Sequence, residues 1–161
     1  DPETGEELGR IDLKFLPAVS AREEVYFAFE CKRLNALVNG TRRSLAPDYV
    51  TEGMMRFVTG QYAGFMQHGG MLSYVLDGRC DDAIRLVEQN VARRATELCM
   101  DALAALAPSR LRPAMNHVRE TGHNLHSLRP FILHHVFLDC GNESRDGDAL
   151  AVPCSPKEGL E

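Results

Sequence analysis

Apolar and polar residues alternate near the start of the chain, a pattern typical of a strand with one buried face. Ile11, Leu13 and Phe15 recur at every second position, so their side chains share a face. Asp12 lies between the first two of them. We therefore predict a first strand over 10–18, with Asp12 inside it.

A second and more continuously apolar run follows over 25–33 and predicts a strand in the interior of the sheet. Residues i and i+2 of a strand point to the same face, so Glu30 and Lys32 project together. The side chains expected to point the other way, into a core, are those of Phe27, Phe29 and Cys31. Opposite charges at the end of a buried strand cost free energy unless a ligand or a reaction uses them. This pair is therefore the first candidate for a functional site.

Helical spacing begins after a loop over 35–46, which carries a basic tip. We predict a helix over 47–65, with Asp48 capping its first turn and Gly69-Gly70 ending it. The glycines within this helix are Gly53, Gly60 and Gly64. Each glycine costs about 1 kcal/mol of helix stability, which suggests close packing against a sheet or a ligand.

The rest of the pattern comprises two more strands, a long helix and a looser connector. They are expected over 71–76 (strand), 81–106 (helix), 108–122 (connector) and 131–138 (strand). The order of the elements predicts an α/β fold, in which helices flank a small mixed β-sheet. One domain is expected over 1–140, followed by a polar and mobile tail over 141–161.

Composition narrows the class of protein. The 161 residues are 44% apolar and 25% charged, which suits one globular domain. No apolar run reaches about 18 residues and the acidic start does not resemble a signal peptide, so no membrane span is expected. The chain starts without Met, which suggests a piece of a longer protein. Five cysteines without a CxxC pair argue against a zinc ribbon or a disulfide framework and favour the reducing cytoplasm.

The net charge of −5 argues against a protein that coats nucleic acid by bulk charge, so contacts with nucleic acid would be local and metal-assisted. If the first two strands pair, Asp12 meets Glu30 and Lys32 at one end of the sheet, in the arrangement Asp-x17-Glu-x-Lys. Mg²⁺ or Mn²⁺ takes oxygen ligands, so we expect Asp12 and Glu30 to bind the ion, with the backbone carbonyl of Cys31 as a third ligand. Phosphodiester hydrolysis uses such an ion together with a cation near the developing negative charge.

Asp12, and then Glu30-Cys31-Lys32 at the end of an apolar strand, resemble the PD-(D/E)xK or restriction-endonuclease-like nuclease superfamily over roughly residues 7–139. The resemblance implies a restriction-endonuclease-like core sheet flanked by helices and a Mg²⁺- or Mn²⁺-dependent endonuclease. It implies that Asp12 and Glu30 bind the metal ion. It also implies that Lys32 assists the attacking water or the transition state.

Some branches of this superfamily carry a glutamine on the helix after the lysine strand, facing the site, and Gln61 matches it. The tyrosine that follows such a glutamine is replaced by Phe65. The proline that precedes the first aspartate is replaced by Ile11. An N-terminal helix with a further acid is not evident, and Glu6 or Glu7 would be its remnant.

Further basic residues lie close to this segment in the sequence. Arg33, Arg42 and Arg43 are candidates for phosphate contacts, because arginine suits bidentate binding; a solvated loop is the equal alternative. The expected partner is nucleic acid, namely DNA, with a homodimer or a partner subunit as a further expectation. We expect a cytoplasmic, prokaryotic defence or restriction-type protein.

The remaining polar candidates carry weaker signals. His134 and His135 lie in an apolar strand, so one is expected to face the core and the other a crossing element. The histidines expected at the surface are His117, His123 and His126. Glu52 and Arg56 share a helix face at spacing i, i+4, which is typical of a surface ion pair.

Three alternatives remain open at this point. Glu30 and Lys32 could form a surface ion pair on an edge strand, worth about 0–1 kcal/mol. The chain could be a catalytically inactive module of the same fold that binds nucleic acid or a protein. It could also be an assembly domain in which the glycine-containing helix packs against a second copy.

Overall fold

The computed structural model describes residues 10–18, 25–100, 105–125 and 129–141. The expectations for Glu6 or Glu7, for His126 and for the tail after Gly141 therefore lie outside the described residues.

The described residues form eight strands, of which six belong to one mixed sheet. In chain order they are β1 (Leu13–Phe15), β2 (Phe27–Leu34), β3 (Ala36–Val38), β4 (Thr41–Arg43), β5 (His68–Val75), β6 (Ala107–Pro108), β7 (Val118–Leu125) and β8 (Arg129–Asp139). The large sheet has the order β1-β2-β5-β8-β7-β6. Strands β2, β5 and β8 are parallel, whereas β1, β7 and β6 are antiparallel to their neighbours. The predicted α/β class with a mixed sheet is confirmed.

The helical residues of the described chain form two groups. The first runs without a break through α1 (Ala46–Tyr49), a π-helical turn (Val50–Met54) and α2 (Met55–Val58). The second is α3 (Cys80–Arg93). No helix in the described ranges is long and apolar enough to cross a membrane.

The first helix differs from its prediction at both ends. It is not capped by Asp48, which lies in its first turn; the N-cap position is Leu45, which has a φ of 55° and no capping side chain. The helix ends at Val58, with Thr59 as its C-cap, rather than at Phe65, because Gly60 adopts a φ of +78° that continues no right-handed helix. Phe65 is consequently 89% exposed.

The core lies between the helices and one face of the large sheet. Tyr49, Met54 and Phe57 project from the first helix and are buried. They pack on sheet residues that include Met71 and Leu133, which are buried as well. Each large apolar side chain buried in this way contributes about 1.5–3 kcal/mol. The packing therefore holds the first helix over β2, β5 and β8.

The prediction for the two faces of β2 was wrong in one respect. Ala28, Glu30 and Leu34 are the buried residues of this strand, and they lie under the helices. The residues predicted to fill the core, Phe27, Phe29 and Cys31, are half-buried on the opposite face. Alternation had assigned the charged pair to the open face, but the helix packs on that pair instead.

Four other predictions for segments of the chain also changed. Residues predicted as a basic loop form the β3–β4 hairpin around an Asn39-Gly40 turn. The predicted connector contains β7, whose polar residues hid its strand pattern. Gly69 and Gly70 lie inside β5 rather than ending a helix. Helix α3 ends at Arg93, earlier than predicted, and residues 101–104 of the predicted helix lie outside the described part.

A chain of buried hydrogen bonds links the first helix to β8 and β7. Tyr49 Oη lies 2.7 Å from His135 Nδ1, and His135 Nε2 lies 2.9 Å from Thr121 Oγ1. Thr121 Oγ1 lies 2.8 Å from His123 Nε2, and His123 Nδ1 lies 2.8 Å from the Leu98 carbonyl oxygen. The Leu98 carbonyl oxygen can only accept, so His123 Nδ1 donates to it. With both imidazole rings neutral, Thr121 then donates to His123 Nε2 and accepts from His135 Nε2. Tyr49 in turn donates to His135 Nδ1.

The expectation for the histidine pair on β8 is confirmed for the ring that faces the core. It is wrong for the other ring, which lies beside a residue of the neighbouring strand β5 rather than a crossing element, and the expectation for His123 is wrong as well. His135 is fully buried under the helices, and His134 lies on the other face beside His68. His123 is buried rather than at the surface. Burial lowers the pKa of His123, and burial together with the neighbouring His123 lowers the pKa of His135 well below its usual range.

Gly69→Ala should lower the free energy of unfolding by about 1–3 kcal/mol, the usual cost of overpacking a core. A Cβ at Gly69 would lie 2.6 Å from Phe57 Cε1 and 3.0 Å from Phe131 Cζ, both on buried rings. Gly122→Ala in β7 is the matched control, because no atom lies within 4 Å of a Cβ there. Urea denaturation measures both. Equal losses for the two variants would contradict the close approach of Phe57.

The unfolding free energy should fall as the pH drops below about 6.5, the usual histidine value. Both His123 and His135 have lowered pKa values when folded, so the unfolded chain binds more protons in this range. Two such groups give a slope of up to about 2.7 kcal/mol per pH unit. Urea denaturation between pH 7.5 and pH 5 tests this. His123→Gln should reduce the slope by about half. A flat profile in the parent protein would contradict the neutral network.

Candidate functional site

The hairpin formed by β1 and β2 places Asp12 beside the segment Glu30-Cys31-Lys32. Leu13 is paired with Phe29, so the chain before β1 runs alongside the end of β2. Strand β1 begins only at Leu13, and Asp12 Oδ2 accepts a hydrogen bond of 2.7 Å from the backbone N–H of Cys31. The Asp12 carboxylate thus takes the place of a strand carbonyl. Asp12 is exposed and lies just outside the strand, not in its middle as predicted.

Glu30 is the buried acid of the site. Only 1% of it is exposed, on the face of β2 that the first helix covers. Its Oε1 lies 2.5 Å from Lys32 Nζ, two residues along the same face. Arg56 Nη1 lies 3.2 Å from Oε1 and 3.2 Å from Oε2. Two cations therefore neutralise one buried carboxylate. An unpaired carboxylate at this depth would carry a large desolvation cost.

Arg56 reaches Glu30 because the helix lies very close to the sheet. Gly53 is one turn before Arg56, and a Cβ at Gly53 would lie 2.5 Å from Met71 Cε and 3.4 Å from Lys32 Cε. The predicted close packing is confirmed for Gly53. Residues three apart share a helix face, so Arg56 points toward the same part of the sheet.

Tyr62 completes this network from the turn that follows the helix. Arg56 Nη1 donates to Tyr62 Oη at 2.6 Å, and Tyr62 Oη donates to the Arg10 carbonyl at 2.5 Å. Burial and the Glu30 charge raise the pKa of Tyr62. Burial by itself would lower the pKa of Arg56, but Glu30 and Tyr62 outweigh it and raise that pKa. Arg56 is therefore a permanent cation and Tyr62 a neutral phenol.

A cavity of about 380 Å³ adjoins Lys32 at the end of β2. Its lining comprises Cys31, Lys32, Arg33, Leu45, Asp48 and Tyr74. Arg33 is exposed here and, of the three arginines predicted to contact phosphate, is the one that shares a cavity with Lys32. Burial and the Asp12 charge raise the pKa of the Cys31 thiol, which disfavours a thiolate nucleophile.

The other two arginines lie on the β3–β4 hairpin. Arg42 Nε is 2.7 Å from Asp77 Oδ2, and Arg42 Nη2 is 3.6 Å from Asp82 Oδ2. Burial by itself would raise the pKa of Asp77, but its hydrogen bonds and the Arg42 charge lower it. Arg42 thus anchors the hairpin to the start of α3, and the phosphate contact predicted for it stays a prediction. Arg43 is exposed on β4.

Gln61 does not join the site, which corrects its prediction. It is exposed in the turn after the helix, because the helix ends before it is reached. Its neighbour Tyr62 is buried and contacts Arg56 instead. Arg56 pairs with Glu30 rather than with Glu52, the partner predicted from helical spacing. The spacing of three between Gly53 and Arg56 is the sequence signal that could have identified Arg56.

Two carboxylates, those of Asp12 and Glu30, are the acidic oxygen donors at this end of the sheet. Among the described residues, no group of three or more His, Cys, Asp or Glu side chains could hold a metal ion. Mg²⁺ is commonly bound by one or two carboxylates together with waters and substrate phosphates. Asp12 and Glu30 are two carboxylates on neighbouring segments, since Asp12 Oδ2 accepts from the backbone N–H of Cys31, the residue after Glu30. The Glu30 oxygens also converge on a cation already, the guanidinium of Arg56.

The chain was compared with known proteins, and no relationship was found. No protein-family model matches the chain, and no significant match was found among curated proteins or among solved structures.

Tyr62→Phe should lower the free energy of unfolding by about 1–2 kcal/mol, because it removes the acceptor of Arg56 and the donor to Arg10. Gln61→Ala, one residue earlier and exposed, should change it by no more than about 0.5 kcal/mol. Thermal or urea denaturation of the two variants gives the comparison. A larger loss for Gln61→Ala than for Tyr62→Phe would contradict the assignment of Tyr62 to the network.

Proposed function

We propose that this chain is a metal-dependent endonuclease domain that hydrolyses phosphodiester bonds, with DNA as its substrate. The observation that carries the proposal is the position of Glu30 and Lys32, side by side on the covered face of β2, with Asp12 bonded to the residue between them. A buried acid, a second acid and a lysine are the groups that metal-assisted phosphodiester hydrolysis requires. The same observation supports a restriction-endonuclease-like core, in which β1 and β2 form a hairpin and a helical crossover leads to the parallel strand β5.

Each residue has a stated part in this proposal. Asp12 and Glu30 would hold Mg²⁺ or Mn²⁺, with the carbonyl of Cys31 as a further oxygen ligand. The ion, when bound, would supply positive charge at the scissile phosphate and lower the pKa of a bound water. Lys32 would orient the attacking water or offset negative charge in the transition state, since its ammonium presents three donors. Arg33 would contact a substrate phosphate at the neighbouring cavity.

The acidic composition limits how the substrate is held. With a net charge of −5, the domain would grip nucleic acid through local cations such as Lys32 and Arg33. A second copy or a partner subunit would supply further contacts and a second site, which cleavage of both strands of a duplex calls for. A defence or restriction-type protein in the cytoplasm is the setting we propose.

A catalytically inactive module of the same fold is the second candidate. The engagement of both Glu30 oxygens by Arg56 favours it, because a metal ion would have to share or displace that cation. The module would then bind nucleic acid or a protein without cutting. Metal binding separates the two functions, since only the nuclease needs it.

Lys32→Ala should reduce the rate of plasmid cleavage with Mg²⁺ by about 10²-fold or more, the usual effect of removing one charge-stabilising donor. Lys14→Ala is the matched control, because Lys14 is exposed on β1 and its ammonium lies over the Tyr26 ring. That control should cleave at the parent rate. Circular dichroism establishes that both variants are folded.

Cleavage by Lys32→Ala at the parent rate would refute the proposed role of Lys32. Titration calorimetry with Mg²⁺ and Mn²⁺ adds a readout that does not depend on cleavage. Asp12→Asn and Glu30→Gln should each weaken the binding of the ion. A parent protein that binds neither ion and cleaves no DNA would support the inactive module.

A further inference from the structure

Arg56 Nη1 occupies the position that a cation chelated by Glu30 would take. It is equidistant from the two carboxylate oxygens, 3.2 Å from Oε1 and 3.2 Å from Oε2. Tyr62 Oη adds a third oxygen at 2.6 Å. A divalent ion bound by both oxygens of Glu30 would require the same place, because a carboxylate has only one such position.

The charges at the site already balance without a metal ion. Asp12 and Glu30 carry two negative charges, and Lys32 and Arg56 carry two positive charges. Addition of a divalent ion would leave an excess of positive charge around a buried carboxylate, where repulsion between cations is weakly screened. One of the cations therefore has to leave as the ion arrives.

Arg56 is the cation that can leave. It belongs to α2, near the end of the first helix, and 29% of its side chain is exposed. Rotation of its side chain would carry the guanidinium into solvent without moving the helix. Lys32, in contrast, lies on β2 itself, and its Cε is held near Gly53.

We propose, on the premise of the metal-dependent function above, that Arg56 and the divalent ion compete for the Glu30 carboxylate. Arg56 neutralises Glu30 in the metal-free protein, and it sets the metal affinity of the site because the ion must displace it. The opposite arrangement would have Arg56 hold Glu30 in the orientation that the ion needs. The two arrangements predict opposite signs: removal of the guanidinium tightens metal binding in the first and weakens it in the second.

The experiment measures Mg²⁺ binding by titration calorimetry and free Mn²⁺ by electron paramagnetic resonance. Arg56→Gln should bind both ions about tenfold more tightly than the parent protein, because it removes a unit charge from the ion's immediate surroundings. Arg85→Gln is the matched control, since it removes the same charge from an exposed position on α3 that pairs with Asp82. It should change the affinity by less than about twofold, as expected for a distant and screened charge.

Tyr62→Phe provides a second variant that retains the charge of Arg56. It removes one of the three oxygens that hold Nη1, so it should tighten metal binding about two- to threefold, the effect of loosening one competitor hydrogen bond. Unchanged or weaker metal binding in Arg56→Gln would overturn the competition. If Arg56→Gln does not fold, the same result in Tyr62→Phe would overturn it.

Failure of the competition and failure of the nuclease function give different results. If the parent binds Mg²⁺, Glu30→Gln abolishes the binding and Arg56→Gln leaves it unchanged, the competition is wrong and the metal site stands. If Arg56→Gln tightens Mn²⁺ binding but neither it nor the parent cleaves DNA, the competition stands and the nuclease function is wrong.

Discussion

The neutralisation of one buried carboxylate organises this end of the molecule. Glu30 lies under the first helix with almost no access to water, so its charge has to be balanced within contact distance. Lys32 does so from the same strand and Arg56 from the helix above. Tyr62 then ties Arg56 to the backbone of Arg10, before β1. A single electrostatic requirement thereby connects three segments that are distant in the sequence: the residues before β1, β2, and the first helix with the turn that follows it.

Packing makes this neutralisation possible. Gly53 lets the helix approach Met71 closely enough for Arg56 to span the remaining distance. Nearer the start of the helix, Tyr49 is joined to His135 on β8 by a buried hydrogen bond. In addition to its apolar packing, the helix is thus joined to the sheet by the Tyr49–His135 hydrogen bond and by the Arg56–Glu30 ion pair. The hydrogen bonds of the neutral network depend on uncharged histidines. In the ionic contact, by contrast, a metal ion could replace Arg56 as the cation beside Glu30.

Much of the fold was readable in the chain because local periodicity reflects burial. The apolar runs of β2 and β8 predicted strands close to those observed, and the amphipathic pattern of α3 predicted its start but not its end at Arg93. Strand β7 was missed because its buried positions include Thr121 and His123, whose polar groups are satisfied by hydrogen bonds that no sequence pattern reveals. The helix end was missed as well, since Gly60 could equally have stayed helical.

For the candidate site, the sequence by itself determined that Glu30 and Lys32 share a face, since the side-chain period of a strand is two. It also indicated Asp12 as their neighbour, since a hairpin between adjacent strands is a short-range connection. Only the tertiary structure decided which face the helix covers, and hence that Glu30 is buried and paired with Arg56 rather than exposed. The tertiary structure likewise placed Tyr62, rather than Gln61, in the network around Glu30. Those choices depend on how helix and sheet pack, a long-range result that neither periodicity nor spacing contains.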